Sequence, residues 1–214
     1  MKVELTLEET RKMFLFVAEK LIACQDILTE ADRVIGDGDH GVGMARGFEA
    51  VQLKLSNTTF SSLDEIFKSV GTILLTTIGG AAGAIFGTWF RSGAKNLTGK
   101  YLLDSACFAL FLKDGLVGIQ ERGKAKVGDK TIVDVLAPAA AAAEKNSNKA
   151  LEKCLAEVSL AADQGMESTK NFIAAIGRAK SLGERSLGYP DPGALSSSYI
   201  LKYMASFVSQ LSSN

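Results

Sequence analysis

Three carboxylates and the only histidine of this 214-residue chain lie together in the segment 32–41, with glycines between them. The acidic side chains of Asp32, Asp37 and Asp39 repel one another unless a cation lies between them, and carboxylate oxygens suit Mg²⁺ or Ca²⁺. The glycines let the backbone turn sharply and leave amide N–H groups exposed, as an anion site requires. Because an extended Gly38 lets Asp37 and Asp39 point to one place, the segment predicts a magnesium site that bridges the phosphate oxygens of a nucleotide.

Most other interpretations of this segment fail on particular residues. Residues 36–41 match the dinucleotide pattern G-x-G-x-x-G, but a helical pattern precedes them instead of a strand, and acids would repel pyrophosphate. An EF-hand loop needs Glu at its twelfth position, where this chain has Gly43 or Phe48. No Gly-Lys pair is followed by Ser or Thr, which a Walker A loop requires. A solvated acidic turn with Asp37 or Asp39 as an N-cap stays open, although it accounts for one aspartate and not for three.

Other positions have the chemistry to contact a phosphate. His40 directly follows the acids, so we expect its side chain to donate to a phosphate or to a transferring phosphoryl group. The turn 79–83 precedes a helix whose N-terminal amides would bind an anion, and close packing of small residues between helices is an equal alternative. Residues 128–131 open another helix, where a cap and ordinary surface charge are the alternative. The long loop 183–194 contains two prolines, as lids can, and Arg178 before it could reach a phosphate.

Composition limits the class of protein. Apolar residues make up 47% of the chain and charged residues 22%, and 24 basic residues balance 24 acidic ones. We therefore expect no binding to nucleic acid or to an acidic membrane surface. Three scattered cysteines argue against a disulfide framework or a zinc site and favour the cytoplasm. We see no signal peptide, and the apolar stretches 73–90 and 132–143 are interrupted by glycine, proline or polar residues, so no membrane span is expected.

Helical spacing of apolar residues runs through nearly the whole chain, and no segment has the pattern of a convincing strand. A capping box at residues 6–9 opens the first helix, which should run to about residue 30. Further helices are expected from about 43 through 55, at 62–77, after 84, and at about 103–121, 131–143, 148–163, 165–176 and 194–212. The sequence thus predicts one all-α domain, residues 1–214, with about eight antiparallel helices. Even numbers of helices separate the loops 32–43, 79–84 and 123–131, so these loops could meet at one end.

A set of motifs in this order resembles the nucleotide-binding L subunit of the dihydroxyacetone kinases and the equivalent C-terminal domain of the single-chain, ATP-dependent enzymes. The resemblance covers essentially the whole chain. Its motifs are I-G-D-G-D-H-G (35–41), M-A-R-G-F (44–48), G-G-A-A-G (79–83), G-D-K-T-I-V-D (128–134), G-R-A (177–179), L-G-E-R-S (182–186) and D-P-G-A (191–194). It implies a barrel of eight antiparallel helices with the nucleotide at one end.

The resemblance also implies roles for individual residues. Asp32, Asp37 and Asp39 match the aspartates that hold two Mg²⁺ ions on the phosphates of ADP or ATP. The residues that match nucleotide contacts fall into three groups: the phosphate turns His40, Gly41, Val42, Gly43, Ala81 and Ala82; the adenine and ribose positions Gly123, Thr131 and Ile132; and the lid side, Arg178, Asp191, Pro192 and Gly193.

The implied activity is transfer of a phosphoryl group to dihydroxyacetone, or to a similar small ketose, held on a separate K subunit. In the bacterial phosphotransferase version, ADP stays bound as a cofactor and a phosphohistidine M subunit recharges it; in the other version, ATP is consumed. Two alternatives stay open, namely an ATP-dependent kinase subunit for another short ketose and a nucleotide-binding regulator without catalysis. Fatty-acid kinase relatives contain a similar domain in far longer chains. The oligomeric state is open, a homodimer included.

This sequence departs from the family pattern at two phosphate-contacting positions. It has Gly43 where asparagine is usual and Ala82 where serine is usual. Each change removes a potential hydrogen bond to phosphate, and such charge-assisted bonds contribute about 1.5–3 kcal/mol. Nucleotide binding should survive through the backbone amides and the intact metal site, with an affinity that the sequence does not determine.

Overall fold

The computed structural model describes residues 1–213 and contains nine α-helices and two short strands in that range. Three 3₁₀ segments, 95–97, 169–171 and 178–186, join or precede helices. The elements are β1 (Leu5–Thr6), α1 (Leu7–Ala23), α2 (Gln25–Ile35), α3 (His40–Ser56), α4 (Leu63–Thr77), α5 (Gly80–Gly93), β2 (Leu102–Leu103), α6 (Ser105–Gly123), α7 (Val133–Lys145), α8 (Leu151–Ser168) and α9 (Pro192–Ser213).

Eight of the helices form a closed ring. Each of α3 to α8 packs against the next helix in the chain, α1 packs against α3, and α9 closes the ring against α1. Helix α2 lies outside the ring and contacts α3 and α9. Short connections make consecutive helices antiparallel, so the predicted all-α barrel of eight antiparallel helices is confirmed. The one departure is a two-residue antiparallel pair, in which Leu5 lies opposite Leu103.

The first helix begins as predicted and ends earlier. Glu9 donates its amide to the Thr6 hydroxyl and accepts the Thr6 amide at 2.9 Å, which completes the capping box. The expected continuation to residue 30 is wrong, because the chain bends at Cys24, whose N–H bonds to Leu21 O. The Cys24 thiol lies 3.2 Å from the Tyr203 hydroxyl of α9. The bend directs α2 out of the barrel wall and places Asp32 in its last turn.

The expected boundary between helices at 148–163 and 165–176 is also wrong. Helix α8 runs unbroken to Ser168, and Gly165 lies inside it at a close contact with α7. A Cβ on Gly165 would lie 2.3 Å from the Asp134 carbonyl oxygen, so the glycine permits packing instead of ending the helix. Only α7 and α8 therefore separate the third loop from the fourth. An even number of helices brings the fourth loop to the same end of the barrel as the other three.

Aromatic side chains fill the middle of the barrel. Phe111 of α6 is fully buried and lies against Phe67 at 4.6 Å, Phe90 at 5.4 Å, and Trp89 and Phe108 at 5.8 Å between ring centroids. The planes of Phe111 and Trp89 are inclined by only 21°, and those of the other three pairs by 42–56°. In residues 1–213, no helix combines the length and the hydropathy needed to span a bilayer.

Candidate functional site

Four loops surround a cavity of about 620 Å³ at one end of the barrel. The volume lies within the usual range for small-molecule sites. The expectation that the first three loops meet is confirmed, and the fourth loop joins them. Most residues predicted as nucleotide or metal contacts line this cavity: Asp32, Asp37, Asp39, His40, Val42, Gly43, Ala81, Ala82, Thr131, Ile132, Arg178, Asp191, Pro192 and Gly193.

Two predicted contacts lie outside the lining of this cavity in the described part of the chain. Gly41 packs against α2, where a Cβ would meet the Gln25 carbonyl oxygen at 2.2 Å. Gly123 ends α6, and a Cβ there would lie 3.4 Å from the Ile85 side chain, which does line the cavity. Gly41 therefore permits close packing between α2 and α3, and both glycines stay predicted contacts.

The three acidic side chains converge as the spacing predicted. One carboxylate oxygen from each of Asp32, Asp37 and Asp39 lies within 4.8 Å of the others. Asp32 is 8% exposed and belongs to the end of α2, whereas Asp37 and Asp39 belong to the exposed loop that follows. A Cβ on Gly36 would lie 2.1 Å from Asp32 Oδ1, so only glycine leaves space for that carboxylate. Gly38 adopts φ 77°, which a larger residue would adopt only with strain.

This donor set fits a divalent cation. Carboxylate oxygens from three residues, two of them open to solvent, suit a hard ion such as Mg²⁺ that keeps several waters and also binds phosphate oxygens. A solvated acidic turn alone does not explain why Asp32 is buried with its carboxylate directed at the other two. The helical cap that this alternative requires is missing, because Asp39 at the start of α3 makes no side-chain cap bond.

Arg178 provides the positive charge next to these acids. Its guanidinium contacts the Asp37 carboxylate, and it lies 3.9 Å from Asp39 Oδ2. The Arg178 side chain is 66% exposed, so the ion pair is screened by solvent and contributes little to stability. An exposed arginine next to a cation site can instead turn toward an anion that binds there.

The imidazole of His40 faces the barrel. Its Nε2 lies 2.9 Å from Ser196 Oγ, and that hydroxyl lies 2.9 Å from the Pro192 carbonyl oxygen. Because the Ser196 hydroxyl donates its proton to the Pro192 carbonyl oxygen, it accepts a hydrogen bond from His40. We therefore assign the imidazole proton to Nε2, which leaves Nδ1 an acceptor only. Burial lowers the pKa of His40 despite the nearby Asp32 charge. The main-chain N–H of His40 donates to Asp32 Oδ2 at 3.1 Å and so helps to orient that carboxylate.

The second loop presents free amides to the cavity. Helix α5 begins at Gly80, and its first internal hydrogen bond is from Gly83 N to Gly79 O, so the N–H groups of residues 80–82 find no acceptor within residues 1–213. Both alternatives for this turn hold in part. Residues 80–82 offer an anion site, whereas Gly83 packs closely, since its Cβ would lie 3.3 Å from the Leu74 carbonyl oxygen. Arg46 fixes the turn by donating to Thr77 O at 2.7 Å and Ile78 O at 2.6 Å.

The third loop is shaped by Asp134 from the first turn of α7. Its carboxylate accepts hydrogen bonds from Gly128 N at 2.6 Å and from Thr131 N at 2.8 Å. These bonds hold the backbone that carries Thr131 and Ile132 into the cavity. These bonds hold the turn itself, whereas Ile132 at the start of α7 makes no side-chain cap bond. Ordinary surface charge is wrong for Lys130, which is 1% exposed.

Lys130 ties the third loop to the fourth. Its ammonium group donates to Thr169 O at 2.6 Å and to Tyr189 O at 2.5 Å. The Thr169 hydroxyl accepts the amide of Asp191 at 3.0 Å. Asp191 Oδ2 accepts the amide of Ala194 at 2.8 Å, and burial raises the pKa of Asp191 to about 7. The lid side of the cavity is therefore anchored at residues 189 and 191.

Three residues that shape this site were not among the predicted contacts. Arg46 lies one helical turn after Gly43, a spacing that places both on one face of α3. Ser196 lies one turn after Pro192, and the run of three serines with apolar residues on both sides was the available signal. Lys130 lies within the motif 128–134, but nothing in the sequence indicated its burial, because a lysine in a polar loop is normally exposed.

Comparison with known proteins places these features in a family. The family model described as the DAK2 domain matches residues 34–206. The ADP-binding subunit DhaL of the PEP-dependent dihydroxyacetone kinase of Escherichia coli K12 is 38% identical over 194 residues, which cover 86% of this chain and 92% of that protein. The ADP-binding subunit DhaL of the PTS-dependent dihydroxyacetone kinase of Lactococcus lactis is 37% identical over 95% of this chain and 99% of that protein.

A solved structure agrees on the fold. The dihydroxyacetone kinase of C. freundii, crystallised in complex with AMP-PNP and Mg²⁺, superposes with a TM-score of 0.74 at 22% identity. The match covers 96% of this chain and 35% of that longer protein. The chain therefore belongs to the DAK2 domain family, which includes the nucleotide-binding L subunits of the dihydroxyacetone kinases.

Proposed function

We propose that this protein is the ADP-binding L subunit of a dihydroxyacetone kinase. It transfers a phosphoryl group from a magnesium-bound nucleotide to dihydroxyacetone, or a similar small ketose, held on a separate K subunit. ADP is the bound cofactor, and a phosphohistidine M subunit of the phosphotransferase system recharges it. Relatives named as DhaL ADP-binding subunits match this chain over nearly their full length, which supports the function of an L subunit.

The convergence of the carboxylates of Asp32, Asp37 and Asp39 at the mouth of the cavity is the observation that carries this proposal. Such a cluster is unfavourable without a cation, and a polyphosphate is the ligand that joins a magnesium site to free helical amides. The free N–H groups of residues 80–82 line the same cavity. The carboxylates are complementary to the metal ions of a metal–nucleotide complex, and the free amides are complementary to its phosphates.

Each group of residues has a definite task in this proposal. Two Mg²⁺ ions, when bound, neutralise phosphate charge and align the transfer. Asp32, Asp37 and Asp39 hold the ions, and the amides at the start of α5 orient the phosphates. Arg178 leaves Asp37 and turns its guanidinium to the phosphates, and the backbone of residues 191–193 closes the lid side. Thr131 and Ile132, with Gly123 behind them, form the adenine and ribose wall.

His40 acts in this proposal through its position. Its ring, held by Ser196, fixes the start of α3 against the start of α9, and its amide orients Asp32. The donor function expected from the sequence would need a second proton on a buried ring, and burial lowers the pKa of His40. The neutral ring therefore supports a positioning function for His40.

The test combines nucleotide binding with phosphoryl transfer. Calorimetry should show ADP binding that requires Mg²⁺, and transfer to dihydroxyacetone should require purified K and M subunits. Asp37→Asn should weaken Mg²⁺–ADP binding at least about tenfold and abolish transfer, because a charged ligand is lost while the fold is kept. Asp26→Asn, on the exposed face of α2, is the matched control and should behave like the wild type.

The results separate the alternatives. Wild-type transfer by Asp37→Asn would contradict the metal assignment. Mg²⁺–ADP binding without transfer, in the presence of active partner subunits, would replace the kinase function by that of a nucleotide-binding regulator. Transfer from free ATP without an M subunit would replace the recharging step by direct use of ATP.

A second candidate is an ATP-dependent kinase function for another short ketose. The L-erythrulose kinase of Pectobacterium atrosepticum is 33% identical over 86% of this chain, and the chain spans about a third of its length. A competition assay with dihydroxyacetone and L-erythrulose on the assembled complex distinguishes the two substrates. Preference for L-erythrulose would favour the second candidate.

A further inference from the structure

A second cavity lies on the side of the barrel and shares no lining residue with the nucleotide cavity; it extends from Arg122, near the nucleotide end, to Lys95, near the opposite end. Helices α4, α5 and α6 and the 3₁₀ segment after α5 enclose a groove of about 720 Å³. The three helices approach closely at glycines: a Cβ on Gly71 would lie 2.7 Å from Arg91 Cγ, and one on Gly118 would lie 2.2 Å from Ser92 Oγ. Ser92 lies ten residues beyond Ala82 on α5, so it is about 15 Å along the helix from the phosphate-binding end.

The groove is lined by cations. Lys68, Arg91, Lys95 and Arg122 are its charged residues, and none of its lining residues is acidic. Within residues 1–213, only Lys68 among them forms an ion pair, with Asp64 at 2.8 Å. The whole chain is neutral, with 24 basic and 24 acidic residues, so four cations without a lining carboxylate are a local excess.

The polar groups of the groove are mostly donors as well. The hydroxyls of Thr72 and Ser92 have no hydrogen-bond partner in the described chain, whereas Thr88 and Thr98 donate to carbonyls of their own segments. Guanidinium and ammonium groups donate only. A lining of this kind is complementary to a ligand that only accepts hydrogen bonds and carries several negative charges, such as a row of carboxylates.

We propose that this groove, defined by Lys68, Arg91, Lys95 and Arg122, docks an acidic segment of a partner protein. The positions of the cations favour an extended occupant. Arg91 and Lys95 are one turn apart, and Lys68 and Arg122 lie on the two flanking helices, so the charges are distributed along and across the groove. A single phosphate would reach only some of them, whereas several side-chain carboxylates in a row can pair with each. Docking here leaves the nucleotide cavity open.

A peptide titration tests this docking surface. The probe is a fluorescein-labelled peptide with six consecutive glutamates, compared with the same peptide containing six glutamines, and anisotropy is measured with the full chain at 50 and 300 mM NaCl. The wild type should bind only the glutamate peptide, with an affinity that falls steeply with salt. The triple variant Arg91→Gln, Lys95→Gln, Arg122→Gln should lose at least about tenfold in affinity.

The matched control removes three other exposed lysines. The control is the triple variant Lys54→Gln, Lys145→Gln, Lys153→Gln, which loses the same charge outside the groove. Its affinity for the glutamate peptide should stay within about twofold of that of the wild type. Equal losses in both triple variants would overturn the proposal, since they would show attraction to overall charge. Binding of tripolyphosphate that depends on the groove, without binding of the glutamate peptide, would also overturn it. Unchanged Mg²⁺–ADP binding in the groove variant shows that the effect is separate from the nucleotide site.

Discussion

At the candidate metal site, the guanidinium of Arg178 competes with a cation for the carboxylates. The Arg178 guanidinium contacts Asp37 and lies near Asp39, so it neutralises part of the charge that a metal ion would neutralise. The same guanidinium is exposed enough to turn toward a phosphate. We therefore expect this residue to oppose binding of the metal alone and to favour binding of the metal with the nucleotide.

Arg178→Gln should separate these two effects. We expect Mg²⁺ alone to bind up to about fivefold more tightly, because an exposed ion pair of about 0.2–1 kcal/mol is removed. We expect Mg²⁺–ADP to bind at least about tenfold more weakly, because a charge-assisted bond to phosphate of about 1.5–3 kcal/mol is lost. Calorimetric titrations with and without ADP measure both, with Arg185→Gln from the same 3₁₀ segment as control. Parallel changes in the two affinities would contradict the two functions assigned to Arg178.

Asp191 should give the protein a pH-dependent stability. An unfolded aspartate has a pKa of about 3.9, and burial raises the pKa of Asp191 to about 7 in the folded chain. Between these values the folded state holds more protons, so the contribution of Asp191 to stability is complete below about pH 4 and is lost as the pH rises to about 7. The difference corresponds to at most about 4 kcal/mol.

Asp191→Asn removes this titration. In metal-free buffer, the free energy of unfolding of Asp191→Asn relative to the wild type should therefore increase from pH 4.5 to pH 7.5. Urea unfolding at both pH values gives the comparison, and Asp26→Asn serves as the control that should show no such trend. A difference that does not change with pH would show that the Asp191 carboxylate titrates normally.

Among the structural elements, residues 187–193, which lead into α9 and are called the strap here, depend on one buried lysine. Lys130 adopts φ 61° and donates to carbonyl oxygens of both Thr169 and Tyr189, so it connects the loop before α7, the end of α8 and the strap. Burial lowers the pKa of Lys130, while Asp191 and Asp134 act in the opposite direction. The lid side of the cavity is thus held by hydrogen bonds instead of apolar packing.

Lys130→Met should loosen the strap while the barrel stays folded. Removing the ammonium leaves two carbonyl oxygens without their donor, and an unpaired buried group costs about 1–3 kcal/mol. We expect faster hydrogen exchange in residues 187–193 and a several-fold loss of ADP affinity, measured by mass spectrometry and calorimetry. The exposed Lys126→Met provides the comparison. Unchanged exchange in the strap would show that Lys130 does not anchor it.

Considered as a whole, the molecule is stabilised by the aromatic centre of a closed ring. Phe111 contacts rings from α4, α5 and its own helix, so its side chain joins three neighbouring helices of the barrel wall. Phe111→Ala should lower the free energy of unfolding by about 3–5 kcal/mol, because a buried ring leaves a cavity. Leu53→Ala, at a position that is 70% exposed, should change it by less than about 0.5 kcal/mol. Denaturant unfolding compares the two, and equal effects would contradict the assigned core.

Local patterns in the sequence were sufficient for several features. The capping box at Thr6, the helix at 63–77 and the alternation of loops between two ends depend on residues near one another in the chain. The convergence of Asp37 and Asp39 also follows from their spacing around Gly38. Helical periodicity predicted an all-α fold because burial of one face per helix leaves a repeating signal.

Other features depend on contacts between segments that are far apart in the chain. The bend at Cys24 has no glycine or proline to mark it, and Gly165 is a packing residue only because α7 lies against it. No local pattern distinguishes the buried Lys130 from a surface lysine, since its two acceptors lie 39 and 59 residues away. The pairing of His40 with Ser196 spans 156 residues in the same way.

By itself, the sequence determined the chemistry of this protein: the three aspartates, the glycines that let them converge and the helices that carry them. Only the tertiary structure decided how that chemistry is held in place. It buried Lys130, placed Asp191 half-buried in the wall of the cavity, directed the ring of His40 to α9, and gathered four cations on the side of the barrel. The physical reason is that spacing along a helix acts over a few residues, whereas burial and pairing depend on which helices close the ring.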